Sequence, residues 1–287
     1  MKLLYLPAYS KPELVATSNI SDNRNHAFID AGFRIEAYTP TPCRGLTLEL
    51  RKKYKKKEYR IETYYGGYMI LHRFPLFSEG NNAIIRAFRY VCCWFIHFYK
   101  GLQAKNVDCI YLASTPPIQG MLGALLKKIK KVPFVYNLQD IFPDSLVAAG
   151  MTHKGSILWK IGRVIENFTY KNADKIIVIS EDFKRNIMAK GVPEEKIVVI
   201  YNWVDENAVV PVAKGDNPLY EQFGISRDKF HVVYAGNLGN AQNIDVIIDT
   251  AAKLRDREDI EFVIFGSGGS EAEIKSRISK EGLHNVK

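Results

Sequence analysis

Short apolar runs alternate along the chain with longer stretches in which apolar positions recur every three or four residues. The first pattern predicts buried strands, and the second predicts amphipathic helices. The predicted strands cover residues 2–6, 34–38, 68–74, 108–113, 132–136, 175–179, 196–200, 231–235 and 261–265. The predicted helices cover residues 20–31, 84–104, 120–131, 156–172, 183–190, 243–255 and 271–281. This alternation indicates an α/β protein with a doubly wound parallel sheet.

One polar, proline-bearing stretch without a clear period, residues 206–218, interrupts the alternation. We interpret it as a linker between an amino-terminal domain, residues 1–205, and a second Rossmann-like domain, residues 219–287. A length of 287 residues suits two domains. We expect no membrane-spanning helix, because no apolar run approaches the ~20 residues that a bilayer requires.

The predicted helix 84–104 has a wide aromatic face. Its apolar positions are Ile84, Phe88, Val91, Phe95, Phe98 and Leu102, with Trp94 at the flank. We expect this face to pack on the sheet, as the apolar face of an amphipathic helix usually does. In a second interpretation the helix lies in a membrane interface, and Trp94 contacts lipid or a lipid-linked ligand.

The formal charge of +9 favours an anionic partner. Six cationic side chains are concentrated at residues 51–57. This run suits a solvated loop, and it equally suits an anionic membrane surface, where each lysine contributes ~1 kcal/mol. The candidates for acceptor or membrane contact are Lys52, Lys53, Lys55, Lys56 and Lys57. Nucleic acid is a third option that no accompanying motif supports, so we expect no nucleic-acid partner.

The predicted strand 132–136 ends at a polar loop that reads Asn-Leu-Gln-Asp-Ile-Phe-Pro-Asp-Ser over residues 137–145. Ligands of open α/β sheets bind at the carboxyl ends of strands, so Asp140 and Asp144 are candidates for chemistry. Taken alone, the loop favours Asp140 as the cap of the following helix. Asp144 follows Pro143 and falls in the first helical turn, where its charge suits the helix dipole.

Two glycine-containing loops, residues 236–239 and 266–269, each stand between a strand and a helix in the second domain. Bare backbone beside a helix start can approach a phosphate, although packing turns have the same composition. Neither loop matches the Walker phosphate-loop pattern, and the first strand lacks the dinucleotide-binding fingerprint. These absences argue against a kinase and against an NAD enzyme.

Six segments, in order, resemble the retaining glycosyltransferases of the GT-B fold, in particular the family 4 (group 1) enzymes of bacterial surface polysaccharide biosynthesis. They are Ser-Thr-Pro-Pro at 114–117, Asp-Ile-Phe-Pro-Asp-Ser at 140–145, Ala-Asp-Lys-Ile-Ile-Val-Ile-Ser-Glu at 173–181, Asn-Trp-Val-Asp at 202–205, Gly-Asn-Leu-Gly at 236–239 and Phe-Gly-Ser-Gly at 265–268. The second segment is similar to the Asp-x-Trp-Pro-Glu-Ser motif of fucosamine-type amino-deoxysugar transferases.

The resemblance implies a GT-B-like fold whose first domain binds a polyprenyl-diphosphate-linked acceptor and whose second domain binds a nucleotide sugar, UDP-linked. Asp140 becomes the catalytic candidate, on the acceptor side. The donor-binding candidates are Gly236, Asn237, Leu238, Gly239, Gly266, Ser267 and Gly268. The implied chemistry uses no metal and no cofactor, because the nucleotide sugar is itself the substrate.

The chain departs from the family pattern in three ways. Residues 7–18 contain no glycine pair, and Asn237, Asn240 and Gln242 stand where basic residues often flank the donor diphosphate. The family's second domain continues well beyond residue 287, so we expect a C-terminally truncated chain with an incomplete second domain and weak or no transfer.

Two other functions stay open on the sequence alone. One is a non-catalytic module of a split enzyme that binds acceptor or membrane. The other is a sugar-nucleotide epimerase of the same fold. The four cysteines show no metal-ligand spacing and suggest a reduced compartment. We therefore expect a cytoplasmic protein, peripheral at the inner face of the cell membrane.

Overall fold

The computed structural model describes residues 1–13, 18–78, 83–207, 209–239 and 242–287. Within them the chain forms two compact units, Met1–Val147 with Thr152–Asp205, and Ala148–Met151 with Glu206–Lys287. The described strands of the first unit form one eight-stranded sheet, and those of the second form a two-stranded sheet. The predicted α/β class is confirmed.

The strands of the first unit are β1 (Lys2–Tyr5), β2 (Arg34–Pro40), β3 (Ile61–Tyr64), β4 (Met69–Phe74), β5 (Cys109–Ala113), β6 (Phe134–Leu138), β7 (Lys175–Val178) and β8 (Ile197–Val199). They lie in the order β3-β4-β2-β1-β5-β6-β7-β8. All neighbouring pairs are parallel except β3 with β4. The order reverses between β1 and β5, which makes their carboxyl ends the place where such sheets bind ligands.

The helices of the first unit are α1 (Ser18–Asp30), α2 (Leu48–Lys53), α3 (Ala83–Gln103), α4 (Gln119–Lys130), α5 (Asp144–Ala148), α6 (Ile157–Asn172) and α7 (Glu181–Ala189). The second unit contains α8 (Leu219–Gln222), β9 (Phe230–Asn237), α9 (Asp245–Lys253), β10 (Ile260–Ser267) and α10 (Glu271–Glu281). The sequence pattern did not predict α2, α8 or β3. None of the residues of α2 is buried, so this helix leaves no apolar period in the sequence.

The core of the first unit lies on both faces of the sheet. Leu4 of β1 and the following Leu6 belong to a cluster that α3, α4 and α6 cover, whereas Leu3 and Tyr5 belong to a second cluster against which α1 packs. Gly123 of α4 lets this helix approach closely, since a Cβ there would lie 2.3 Å from the ring of Phe134. Burial on both faces explains the near-continuous apolar runs of the strands.

The orientation of α3 differs from our prediction. Phe88 and Phe95 are each 62% exposed, whereas Arg89 and His97 are 0% exposed. Of the predicted packing face, only Phe98 packs against the core. The other members, Ile84, Phe88, Val91, Phe95 and Leu102, are exposed. The expectation that this face packs on the sheet is therefore wrong.

The prediction that Trp94 contacts membrane or acceptor is also wrong. Its side chain is only 9% exposed and belongs to the core cluster that α3, α4 and α6 cover. Its ring stacks on Phe98 at a centroid distance of 5.6 Å. The indole Nε1 donates a hydrogen bond to the carbonyl of Ile118, 3.1 Å away. Trp94 is a structural residue that joins α3 to the start of α4.

Buried polar groups explain the orientation of α3. His97 Nε2 lies 3.0 Å from the carbonyl oxygen of Tyr38 and must donate to it, so Nδ1 accepts from Gln119 Nε2 at 3.2 Å. The Gln119 amide also donates to the carbonyl of Leu6 at 2.7 Å. Arg89 Nε donates to the carbonyl of Phe77 at 3.0 Å. Rotating α3 would deprive the carbonyls of Tyr38 and Phe77 of their donors and the Gln119 amide of one acceptor.

The buried His97 predicts a pH-dependent stability of the first unit. Burial lowers the pKa of His97 from 6.5 to about 3. The folded state keeps the ring neutral while the unfolded chain takes up a proton below pH 6.5, so this contribution is lost as the pH falls from 6.5 towards 3. At pH 5 the free energy of unfolding should have fallen by about 2 kcal/mol through this group.

The test compares urea unfolding of the wild type and His97→Gln at pH 7 and pH 5, followed by the fluorescence of Trp94, Trp159 and Trp203, all in the first unit. The glutamine variant keeps a donor and an acceptor, and it should lose about 2 kcal/mol less than the wild type between the two pH values. Equal losses in both proteins would show that His97 does not titrate on unfolding.

Candidate functional site

A cavity of about 270 Å³ opens at the carboxyl ends of β1, β5 and β6. We call it the edge cavity. Its wall includes Tyr5 and Tyr9, Thr115, Asn137 and Gln139, together with Arg24 and Arg44. It adjoins the point where the strand order reverses, which is the expected location of a ligand site in an open α/β sheet.

Ser114 fixes the loop that contains Asp140. The hydroxyl of Ser114 is buried and accepts hydrogen bonds from the backbone N–H groups of Gln139 (3.0 Å) and Asp140 (3.1 Å). The N–H of Ser114 donates to the carbonyl of Asn137 at 2.9 Å, which extends the pairing of β5 with β6. Asp140 is exposed and directly follows a residue of the cavity wall. Because α5 begins at Asp144, Asp140 is not in the N-cap position.

Side-chain amides connect the ends of β6 and β8. Asn202 Nδ2 donates to Gln139 Oε1 at 3.0 Å, and Gln139 Nε2 donates to Asn137 Oδ1 at 3.1 Å. Both acceptors belong to the wall of the edge cavity. The Asn-Trp-Val-Asp segment therefore contributes Asn202 to the same side of the sheet as Asp140, and this chain of hydrogen bonds holds the Gln139 amide in place.

Asp144 belongs to an ion network rather than to the cavity. Lys190 Nζ lies 2.7 Å from Asp144 Oδ2 and 2.8 Å from Glu166 Oε1, and Arg163 pairs with the other oxygen of Glu166. Asp144 is the first residue of α5, as predicted. Burial raises the pKa of the nearby Tyr136 hydroxyl, and the charges of Glu166 and Asp140 raise it further. The network attaches the Asp140 loop to α6 and α7.

Glu13, which the sequence analysis missed, joins the loops that follow β1 and β2. Its buried carboxylate accepts backbone hydrogen bonds from Ser10 (3.2 Å), Cys43 (2.8 Å) and Arg44 (3.0 Å). Burial raises the pKa of Glu13, while these N–H groups act in the opposite direction. Through this contact Arg44 is held at the edge cavity. The sequence offers no signal for it, because Glu13 belongs to no motif or periodic face.

Arg24 was missed as well. It lies on α1, and its guanidinium carbon is 4.6 Å from the ring centroid of Tyr5 and 5.0 Å from that of Tyr111. The helix has no acidic residue in its first turn and only a weak apolar face, so nothing in the pattern distinguishes Arg24 from a solvated arginine. Its location depends on the pairing of β1 with β5.

The predicted basic run is exposed on the connection between β2 and β3. Lys52 and Lys53 end α2, where cations favour the helix dipole, and Lys55, Lys56 and Lys57 follow. The described wall of the edge cavity includes none of these lysines. If they bind an anion, they do so on the outer surface of the first unit.

The two glycine loops of the second unit lie side by side. In the parallel pair of β9 and β10, Gly236 is opposite Gly266 and Asn237 is opposite Ser267. A Cβ on Gly266 would lie 2.2 Å from the carbonyl oxygen of Gly236, and one on Gly268 would lie 2.3 Å from that of Leu238. Close backbone packing therefore accounts for Gly266 and Gly268 without a ligand.

Leu238 has a structural role in this pair of loops. Its side chain is buried in the core of the second unit. Its N–H donates to the carbonyl of Ser267 and its carbonyl accepts from Ser270, both at 2.9 Å. These bonds leave neither the side chain nor the N–H of Leu238 for a donor phosphate, which corrects the assignment of Leu238 to donor binding.

Gly236 and Asn237 are exposed, and Asn237 Nδ2 donates to Gln242 Oε1 at 3.1 Å. A cavity of about 300 Å³ adjoins Gly239, Ser270 and Arg277. Arg277 carries three carboxylate partners, Asp245, Asp249 and Glu281. Asn240, which the sequence analysis named beside this loop, lies outside the described residues.

Two negative findings hold for the described part of the chain. It contains no helix that is both long and apolar enough to cross a bilayer. In the same residues, no group of three or more His, Cys, Asp and Glu side chains has an arrangement that could hold a metal ion.

Comparison with protein families gives two matches. The pattern of the family described as Glycosyltransferase Family 4 matches residues 26–208. The pattern described as Glycosyl transferases group 1 matches residues 218–287. The first match covers well over half of the chain and includes the wall of the edge cavity on β5 and β6, together with Asp140.

Two individual proteins are similar to this chain in sequence. The chain is 29% identical to the glycosyltransferase described as WbjE from Pseudomonas aeruginosa, over 68% of this chain and 48% of that protein. It is 28% identical to the colanic acid biosynthesis glycosyl transferase described as WcaI from Escherichia coli, over 100% of this chain and 70% of that protein. It thus spans about half the length of the first relative.

A solved structure, Alr3699/HepE from Anabaena in complex with UDP and glucose, is similar with a TM-score of 0.65. That match has 19% sequence identity and covers 100% of this chain and 68% of the other. At this identity the likeness establishes the fold and nothing finer. Together with the parallel sheet, it confirms the predicted GT-B-like fold.

The geometry around Ser114 predicts the effect of removing its hydroxyl. Ser114→Ala leaves the N–H groups of Gln139 and Asp140 without their acceptor, so the first unit should lose about 1–2 kcal/mol of stability. Amide hydrogen exchange at these two positions should accelerate by roughly tenfold, because the loop opens locally.

Thr250→Ala is the matched control, since the Thr250 hydroxyl donates to the carbonyl of Val246 in the second unit. This variant should leave exchange at Gln139 and Asp140 unchanged. Unaltered exchange in Ser114→Ala would show that other contacts hold the loop.

Proposed function

The chain belongs to Glycosyltransferase Family 4, and from this membership we propose that it transfers a sugar from a nucleotide-sugar donor, UDP-linked, to a lipid-linked acceptor of polysaccharide biosynthesis. The UDP and glucose bound by HepE support the donor class, and the description of WcaI supports the pathway class. The observation that carries the proposal is the exposed Asp140 carboxylate beside the edge cavity, on a loop that Ser114 holds.

The proposed transfer retains the configuration at the sugar carbon. The bond from this carbon to the donor phosphate oxygen breaks, a bond to the acceptor oxygen forms, and the acceptor proton passes to the departing diphosphate. Asp140 accepts a hydrogen bond from the acceptor hydroxyl and orients it. Its contribution is positioning, which operates through the fixed backbone of residues 139 and 140.

Replacement of Asp140 tests this role. Asp140→Asn keeps the shape but weakens the acceptor for the hydroxyl proton, so kcat should fall by about 100-fold with little change in the KM of the donor. The measurement is steady-state transfer from UDP-sugar by the complete gene product. Asp182→Asn is the control, because Asp182 is exposed and forms an ion pair with Arg185, three residues further along the same helix.

Three outcomes would contradict the proposal. Full activity of Asp140→Asn would remove Asp140 from the reaction, and a raised donor KM at unchanged kcat would make it a donor-binding residue. Consumption of UDP-sugar to an epimer without any acceptor would instead identify an epimerase of the same fold.

The exposed face of α3 supports an acceptor located at a membrane. The exposed stripe consists of Ile84, Phe88, Val91, Phe95 and Leu102. The same helix borders the edge cavity with another face, because the hydroxyl of the half-buried Tyr90 lies 3.0 Å from that of Tyr9 in the cavity wall. Burying one such aromatic side chain in an apolar medium is worth ~1.5–3 kcal/mol.

The basic run of residues 52–57 on the same unit suits the charge of an anionic bilayer, with ~1 kcal/mol for each lysine near the lipid. Apolar and basic contributions together are the combination that holds interfacial helices on membranes. We therefore assign the exposed stripe to the bilayer surface.

Liposome co-sedimentation tests the assignment. The wild type should sediment with vesicles that contain a third of phosphatidylglycerol, and the double variant Phe88→Ser/Phe95→Ser should bind at least tenfold more weakly. Phe230→Ser is the matched control, because Phe230 is 68% exposed but lies in the second unit. Reversing the charges of Lys52, Lys53, Lys55, Lys56 and Lys57 should weaken binding mainly at low salt.

Wild-type sedimentation of the double variant would disprove the assignment. A wild type that is dimeric in solution and a double variant that is monomeric would make the stripe an interface between copies, and the membrane assignment would then fail as well.

A further inference from the structure

We propose that Arg24 and Arg44 make the edge cavity a binding site for the diphosphate of the acceptor. The inference rests on the proposed function, because it names the group of the acceptor that the first unit recognises. The candidates for acceptor contact predicted from the sequence were surface lysines and Trp94, whereas the structure places two other cations in the cavity itself.

Arg24 is a cation without an anionic partner. One guanidinium nitrogen donates to Asn25 Oδ1 at 2.9 Å, and the faces of Tyr5 and Tyr111 lie within 5.0 Å of its carbon. The Nε–H is buried and has no hydrogen-bond acceptor in the described part of the chain. In those same residues no carboxylate forms an ion pair with it. The guanidinium is partly buried and is in contact with the rings and hydroxyls of Tyr5 and Tyr111, neither of which is a carboxylate, so an anion is the ligand that would neutralise it.

Arg44 approaches the cavity from another element. Its guanidinium carbon lies 5.2 Å from the ring centroid of Tyr9, and its backbone is held by the buried carboxylate of Glu13. Two arginines that come from α1 and from the loop after β2 therefore share one wall. Planar guanidinium groups bind phosphoryl oxygens through paired hydrogen bonds, which a lysine cannot reproduce.

The remaining wall also suits an anion. Its described residues include no aspartate and no glutamate, and they offer the hydroxyls of Ser21 and Thr115 and the amide of Asn137. A volume of about 270 Å³ approaches the ~300 Å³ of small-molecule sites, so a diphosphate fits with part of the group attached to it.

The position of the cavity favours the acceptor as the source of this diphosphate. Gln139 of its wall directly precedes Asp140, which we assign to the acceptor hydroxyl. Tyr9 of its wall contacts Tyr90 of α3, the helix whose other face carries the exposed stripe. A lipid-linked acceptor whose diphosphate lies between the arginines therefore has its hydroxyl beside Asp140 and its hydrocarbon chain beside α3.

The alternative is that Arg24 serves only to pack Tyr5 against Tyr111. In that case the Arg24 guanidinium binds no ligand, and the affinity of the protein for phosphate does not depend on Arg24. Calorimetric titration without any nucleotide sugar separates the two possibilities. The probes are farnesyl diphosphate, inorganic pyrophosphate and UDP.

Farnesyl diphosphate should bind to the wild type more tightly than pyrophosphate, and pyrophosphate should compete with it. Arg24→Gln and Arg44→Gln should each weaken both probes by roughly tenfold or more, and Arg24→Lys should not restore binding. Arg227→Gln is the matched control, since Arg227 lies 4.9 Å from the ring centroid of Tyr220 in the second unit. It should bind as the wild type does.

Wild-type affinity in a folded Arg24→Gln, judged by circular dichroism, would overturn the proposal. If Arg24→Gln does not fold, the exposed Arg44 decides, and unchanged binding by Arg44→Gln would overturn it equally. Loss of UDP binding alone would assign the arginines to the donor and would also refute it.

The results of these binding measurements are independent of whether the protein transfers sugar. A protein that binds farnesyl diphosphate through Arg24 but transfers no sugar would refute the proposed function and keep this inference. A protein that transfers sugar while its Arg24 and Arg44 variants bind diphosphate normally would do the opposite.

Discussion

The hydrogen bond between His97 and the carbonyl of Tyr38 determines which side of α3 faces the sheet. Gln119 completes the contact by donating to His97 and to the carbonyl of Leu6, so one buried network joins α3, α4 and the ends of β1 and β2. The opposite orientation would bury the aromatic side chains but leave the Tyr38 carbonyl without its donor and separate His97 from Gln119. The hydrogen bonds of these buried groups therefore oppose an apolar burial worth several kcal/mol. The exposed aromatic stripe is the consequence, and an apolar surface outside the protein would recover that free energy.

The elements of the sheet could be predicted from the sequence because most of its strands are buried on both faces and therefore read as continuous apolar runs. The orientation of α3 could not be predicted, because the apolar residues of the helix outnumber Arg89 and His97. The hydrogen-bond acceptors of these two residues, the carbonyls of Phe77 and Tyr38, lie outside the helix. Trp94 was misassigned for the same reason. Helix α2 and strand β3 escaped prediction since neither contributes a buried residue.

Some residues of the candidate site could likewise be predicted from the sequence, and others could not. Asp140 was identified from its position after a predicted strand and the Ser-Thr-Pro-Pro segment from the family resemblance, and the structure explains their association through the Ser114 hydroxyl. Arg24, Arg44 and Glu13 carry no local signal. These residues come together at the carboxyl edge only because the strand order places the ends of β1 and β5 side by side. No pattern within α1 or the loop after β2 indicates that order. Among the glycines, Gly266 and Gly268 were recognised as special, but the packed backbone of β9 and β10 is sufficient reason for them.

A common principle governs the carboxyl edge of the large sheet. Glu13 holds the loops after β1 and β2, Ser114 holds the loop after β6, and Gln139 joins the ends of β6 and β8. Each of these contacts uses a side chain to bind backbone or amide groups, so the loops are fixed before any ligand arrives. Sites that position reactants gain most when their supporting contacts are already made. Arg24 differs from them, because its Nε–H has no acceptor among the described residues and no carboxylate there pairs with it. At an edge whose loops are already fixed, this cation is the group that a bound anion would neutralise.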